Sequence, residues 1–173
     1  MNDCGEKAGT KRAIVIFTSR YGNTEKIARS FERGLEEAGI ETVCVNAIDT
    51  PVDSLTQYDL ICLGAPTEWH SASKPMKAFL ENLKNVDLNG KFGFAFDTRF
   101  EAPLSGSAAK GIEKELERCG MKMIAPRESA LILGRQKSEK GNVKLKDEEE
   151  KRFEQIGAQV GRTLAVEGAT ISA

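Results

Sequence analysis

The stretch IVIFTSRYGNTEKIARSFERGLEEAG, Ile14 to Gly39, carries an apolar run into a loop rich in hydroxyls and glycine, then directly into an amphipathic segment. Thr18, Ser19 and Thr24 offer hydroxyl donors there, Asn23 offers an amide, and Gly22 allows a sharp turn and close backbone approach. Arg20 and Tyr21 complete the loop, and no acidic residue precedes Glu25. The first backbone N–H groups of a helix have no partner inside it, and the helix dipole adds partial positive charge at that end. A strand–loop–helix junction of this composition suits an anion, phosphate above all. Taken alone, the same residue types also serve as ordinary turn and N-cap residues.

The elements that must position this loop follow from hydrophobic spacing. Apolar runs predict strands at Ala13 to Phe17, Thr42 to Val45, Leu60 to Leu63 and Phe92 to Phe96, with another inside Met123 to Leu133. Helical spacing marks Thr24 to Ala38, Pro75 to Leu83, Ser107 to Cys119 and about Asp147 to Leu164; Ile27, Phe31 and Leu35 share one face of the first helix. This alternation predicts an α/β domain, a parallel sheet with helices on both faces. Residues 1–11 are polar and read as a flexible tail, leaving 12–173 as a single domain. Lys137 to Arg152, dense in both signs of charge, reads as a solvated loop entering the last helix, where Gly157 and Gly161 should permit close packing on the sheet.

Composition narrows the partners. With 25 basic and 26 acidic residues the formal net charge is -1, so no overall field favours nucleic acid or an anionic membrane. The lack of a long apolar run or a secretory-type start gives a cytoplasmic expectation. Cys4, Cys44, Cys62 and Cys119 form no CxxC pair, so neither a metal site nor a redox dithiol is expected.

Other phosphate motifs fit poorly. No GxGxxG follows a strand, and the Gly106 to Gly111 gap is followed by Ile112 where a nucleotide-triphosphate loop needs lysine. A phospho-acceptor domain needs acids at its strand ends, where this chain has Phe17-Thr18-Ser19 and Gly64-Ala65-Pro66. Thr18-Ser19-Arg20-Tyr21-Gly22-Asn23-Thr24 instead resembles the FMN-phosphate loop of the flavodoxin family, and the resemblance runs over nearly all the chain from Lys11. GAPTEWHSASKPMKAFLENL, Gly64 to Leu83, is similar to the family's second FMN loop, and FDTRFEAPLSGSAAKGIE, Phe96 to Glu113, stands where its third loop belongs.

That resemblance implies a doubly wound five-stranded parallel sheet of order 2-1-3-4-5, with FMN at the switch point beside the first strand. It makes Pro66, Thr67, Glu68, Trp69 and His70 the second set of cofactor-binding candidates, and Asp97, Thr98, Arg99 and Phe100 the third. Within it, Trp69 is expected to stack on the flavin, Thr67 and Thr98 to hydrogen-bond the ring edge, and Phe100 to supply a second wall. Arg99 would stabilise negative charge on reduced flavin; alternatively it pairs with Asp97 or is solvated. His70 is a proton-donor candidate or simply exposed.

The leading functional expectation is an electron carrier working between redox partner proteins, with no catalytic residue or metal of its own, as a monomer or homodimer. The alternatives are an FMN-dependent NAD(P)H:quinone-type oxidoreductase and a flavin-free interaction module of the same fold. Near-neutral charge makes docking to a highly basic partner less expected.

Overall fold

The computed structural model describes residues 9–102, 104–134 and 143–170, without side chains for 168–170. Most of the expected tail, residues 1–8, lies outside them; Lys11 precedes the first strand, and its C=O accepts from Glu41 N–H at 3.0 Å.

The long strands are β1 (Arg12–Phe17), β2 (Glu41–Asn46), β3 (Leu60–Glu68), β5 (Phe92–Phe100) and β7 (Glu128–Leu133). Short strands complete the sheet: β4 (Ser71–Ala72), β6 (Lys122–Met123) and β8 (Lys144–Leu145). The helices are α1 (Asn23–Glu37), α2 (Lys74–Leu83), α3 (Ala108–Arg118) and α4 (Glu149–Thr170). The long strands are parallel in the order β2-β1-β3-β5-β7, the expected doubly wound order, and β8 adds an antiparallel edge beside β7. The sheet reverses its winding at β1 and β3, so the loops leaving their carboxyl ends diverge and open a crevice.

Two apolar layers hold the sheet. Ile14, Ile16, Ile61 and Leu63 point to α2 and α3, where Met76, Leu80, Ile112 and Leu116 meet them. Val15, Cys62, Phe94 and Phe96 point the other way, to α1 and α4. There Phe31 stacks on Phe94 with centroids 4.8 Å apart, and Phe153 meets the edge of Phe96 at 5.9 Å. Such aromatic pairs add about 0.5–1.5 kcal/mol each beyond area burial. Gly157 and Gly161 face α1 rather than the sheet: a Cβ on Gly157 would lie 2.3 Å from Phe31 O. The two helices therefore cross with their backbones nearly touching along the carboxyl half of α1.

Elements and boundaries also differ from the sequence expectation. The strand expected inside Met123 to Leu133 is split, β6 ending at Met123 and β7 beginning only at Glu128, with Pro126 between them unable to donate to a ladder. β3 and β5 run past their expected ends, pairing Pro66 with Thr98, while β5 pairs Phe100 with Ile132 of β7. Pro66, Thr67, Glu68, Asp97, Thr98, Arg99 and Phe100 thus sit on strands, not in loops. β1 ends opposite Gly64, so beyond that point β3 has a free edge on which a proline is tolerated. In the segment expected to be a solvated loop, Lys144–Leu145 is a strand paired with β7; residues 135–142 lie outside the described residues.

Candidate functional site

The β1–α1 junction has an uncommon cap. Gly22 occupies the N-cap position of α1 at φ 83°, and no side chain caps the helix. That backbone angle places a left-handed residue where Ser or Asp would normally stand, and glycine adopts it without steric cost. Thr18 N–H donates to Gly64 C=O at 3.0 Å, and the next donor in the chain with a backbone acceptor is Lys26 N–H, to Gly22 C=O at 3.1 Å. Among the described residues, the amides from Ser19 to Glu25 have no acceptor. Ser19 Oγ is also buried without a partner. A helix start normally finds such partners in a cap.

The other polar side chains of the loop are turned into the protein. The buried Thr18 and Ser73 hydroxyls lie 2.8 Å apart, and so do those of Thr24 and Thr98. Asn23 donates through Nδ2 to Val143 C=O at 3.0 Å, tying the start of β8 to the loop. Three expected phosphate donors therefore serve first to hold the cradle's shape, and Ser19 is the one whose hydroxyl is uncommitted. Arg20 lies over the Tyr21 ring at 5.3 Å and reaches Glu68 at 4.0 Å, an exposed ion pair across to the β3 hairpin. Ser73, missed in the sequence, is the N-cap of α2, yet its hydroxyl faces Thr18 instead of its own helix. A serine just before Lys74-Pro75 was the available signal.

β3 returns to β4 through a two-residue turn, pairing Glu68 with Ser71 around Trp69 and His70. Both turn residues have positive φ, 48° and 67°. Two-residue hairpins favour this geometry but normally fill it with Asn and Gly; a tryptophan there carries strain. The strain holds the indole 89% exposed at the rim of a cavity of about 540 Å³. Thr67, His70, Arg99 and Phe100 line the same cavity, whose size falls within the roughly 300–1,000 Å³ of small-molecule sites. Leu104 and Ser105, from the third expected loop, also line it, and so do Ile132 and Gly134, which the sequence did not suggest because the pairing of β5 with β7 brings them there. Gly106, next to the lining residue Ser105, has φ 69° and is bridged to His70; a Cβ there would lie 2.5 Å from His70 Cα.

Beneath the cavity, Asp97 is fully buried on β5. Its Oδ2 accepts from Thr67 Oγ1 at 3.1 Å, Ser107 Oγ at 2.8 Å and Ala109 N–H at 3.0 Å, while Oδ1 has no partner. Arg99 is half-buried and not paired with Asp97: its Nη1 donates to Ser105 Oγ at 3.1 Å and Gly106 C=O at 3.4 Å, and its buried Nε is unpartnered. The cradle residues do not line the cavity. The Thr24–Thr98 hydroxyl pair and the Arg20–Glu68 ion pair join the two. A ligand with an anionic end and a flat, partly polar body matches this layout.

The sequence model of the family described as Flavodoxin matches residues 15–156. The chain belongs to the flavodoxin family. Among curated relatives, the probable flavodoxin 1 of Bacillus subtilis is 35% identical over 81 residues, 46% of this chain and 51% of that protein. The flavodoxin of Clostridium saccharobutylicum is 30% identical over 87 residues, 49% of this chain and 53% of that protein. The match thus spans about half the length of these curated relatives. The oxidised flavodoxin 1 of Bacillus cereus superposes with a TM-score of 0.73 at 24% identity, covering 87% of this chain and 97% of that one, a likeness of fold alone. Flavodoxins bind FMN, the cofactor expected from the first loop. The residues fit it: the unpaired amides and Ser19 Oγ suit a phosphate, and the unpaired Asp97 Oδ1 and Arg99 Nε lie beside the wall of a cavity for the ring.

Proposed function

We propose that this flavodoxin is an electron carrier that holds FMN between the α1 cradle and the hairpin cavity and passes electrons between redox partner proteins. The observation that carries the reading is the set of unspent donors from Ser19 to Glu25, which a single phosphate group would satisfy together. When bound, FMN supplies the redox chemistry, and the chain supplies position and electrostatics. Ser19 and the loop amides would hold the phosphate. Thr18 and Thr24 would keep the loop in shape through Ser73 and Thr98. Trp69 and Phe100 would bound the ring, with Trp69 covering it from the strained turn. Arg99 would favour negative charge near the ring, having a free donor and no carboxylate partner among the described residues.

The same reading takes residues 12–173 as one domain, working in the cytoplasm as a monomer or homodimer. Among the described residues no helix is long and apolar enough to cross a membrane. Calorimetric titration with FMN and with riboflavin, which lacks the phosphate, tests the site: FMN should bind at least about a hundredfold tighter, near 2.7 kcal/mol. Equal affinities would remove the cradle from the reading. NAD(P)H oxidation with a quinone acceptor should be near background without a separate reductase; rapid turnover would turn the carrier into an oxidoreductase.

A further inference from the structure

Asp97 has a role that FMN binding alone does not require. Its carboxylate is 0% exposed, and no Lys or Arg among the described residues forms an ion pair with it. What holds it is the amino end of α3: the Ala109 amide and the N-cap hydroxyl of Ser107, which also accepts from Lys110 N–H at 3.3 Å. Thr67 Oγ1 donates its proton to Asp97 and accepts from Ala108 N–H at 2.9 Å. A hydroxyl has one proton, so Thr67 can offer the cavity only a lone pair. A hydrogen bond from Thr67 to the ring edge would therefore have Thr67 as acceptor, for a reason that lies in Asp97.

Resting on the FMN reading, we propose that Asp97 is a positioning residue that sets the redox balance of the site. It yokes the β3 hairpin to α3, and its buried charge, one hydrogen bond behind the cavity wall, weakens the hold on reduced flavin relative to oxidised flavin. Reduced flavin carries added negative charge, and a carboxylate in a low-dielectric interior acts on it with little screening. Oxidised flavin is neutral in the ring and is nearly indifferent to that charge.

Asp97→Asn tests this, because the amide oxygen can replace Oδ2 in the three hydrogen bonds while the charge is lost. Dissociation constants for oxidised and reduced FMN are measured on both proteins, with the midpoint potential as an independent readout of their ratio. Reduced FMN should gain about tenfold relative to oxidised FMN, the scale of a moderate coupling between two sites, and the potential should move positive. Ser107→Ala removes one donor and keeps the charge; it should lower the melting temperature of the flavin-free protein and leave the ratio unchanged. Asp97→Ser is the second variant if the asparagine protein does not fold, with the same expected shift. A wild-type chain that takes no flavin overturns the FMN reading and this one with it. A wild type that binds FMN, with an Asp97 variant whose ratio is unchanged or with a Ser107→Ala ratio that moves equally, overturns the role of Asp97 alone.

Discussion

The amino ends of α1 and α3 stand at the same edge of the sheet and are finished in opposite ways. At α3, Ser107 caps the helix, and the first amides are spent on Asp97 and Thr67, so a carboxylate of the chain itself occupies the anion position. At α1, a left-handed glycine stands where the cap belongs, the amides are free and Ser19 Oγ has no partner. One helix end has been satisfied by folding and the other has been left for a ligand. α3 thus provides an internal reference for what α1 lacks: a group with acceptor oxygens and negative charge.

The comparison breaks first at Gly22. Valine there cannot hold φ 83° without roughly 1–2 kcal/mol of strain, so the loop would turn its amides elsewhere. Several charge-assisted bonds would go together, and FMN affinity should fall on the order of a thousandfold, about 4 kcal/mol. Titration of the variant, with circular dichroism showing an intact fold, checks it; unchanged affinity would mean that α1 does not hold the phosphate. Next come the two serines, which should give opposite signatures. Ser19→Ala should weaken FMN by roughly ten- to a hundredfold and leave flavin-free stability unchanged, since Oγ has no internal partner. Ser107→Ala should cost about 1 kcal/mol of that stability, as a lost N-cap does, with little change in affinity for oxidised FMN. Urea unfolding of both flavin-free proteins beside FMN titrations separates them.

The same contrast explains what was legible in the sequence. The α1 site is local: Thr18 to Thr24 meet because they are neighbours in the chain, and glycine, hydroxyls and the onset of helical spacing announce the turn. The α/β class follows from alternating elements and the strand order from the family resemblance, and both agree with the observed sheet. The commitments of the side chains are not local. Thr18 meets Ser73 across 55 positions, Thr24 meets Thr98 across 74, and Asn23 meets Val143 across 120. Composition at Thr24 cannot say that its hydroxyl is taken. Asp97 and Arg99 looked like a natural pair at i, i+2, yet their opposite charges go to different groups: Ser107 and the α3 amides take one, Ser105 and Gly106 the other. The loop boundaries were misplaced because β3 and β5 go on pairing past the point where apolar residues stop, and backbone ladders leave little mark on side-chain pattern.

Trp69 sharpens the comparison from the cavity side, with a smaller effect. Its φ of 48° is strained for a bulky residue and relaxed for glycine. Trp69→Gly should leave the flavin-free protein as stable or up to about 1 kcal/mol more stable, by the left-handed cost relieved less the entropy glycine loses. It should also weaken FMN roughly three- to tenfold, the value of one aromatic contact. Thermal melts without flavin and titrations with it would show the two trends moving apart; a variant that loses stability and keeps affinity would make the indole a structural residue.

The last contrast lies in the sheet interior, where no helix end is at hand. Val15 of β1 is paired with Cys44 of β2 on one side and Cys62 of β3 on the other. A thiol at a helix start is pushed down by the dipole; here burial dominates in the opposite sense. It raises Cys44 from 9.0 to about 12, with the nearby Glu32 adding to the rise, and it raises Cys62 too. A raised acid keeps its proton in the folded state and releases it more readily on unfolding. The associated stability is complete below about pH 9 and is lost as pH climbs toward about 12, at roughly 1.4 kcal/mol per pH unit for a thiol in that window. Urea midpoints at pH 8 and pH 10.5 should therefore fall more for the wild type than for Cys44→Ala/Cys62→Ala, and neither native thiol should react with Ellman's reagent before unfolding. Equal slopes in the two proteins, or fast native labelling at Cys44, would mean that the sheet interior does not oppose negative charge, and the favour shown to anions at the two helix ends would then have no contrast within the fold.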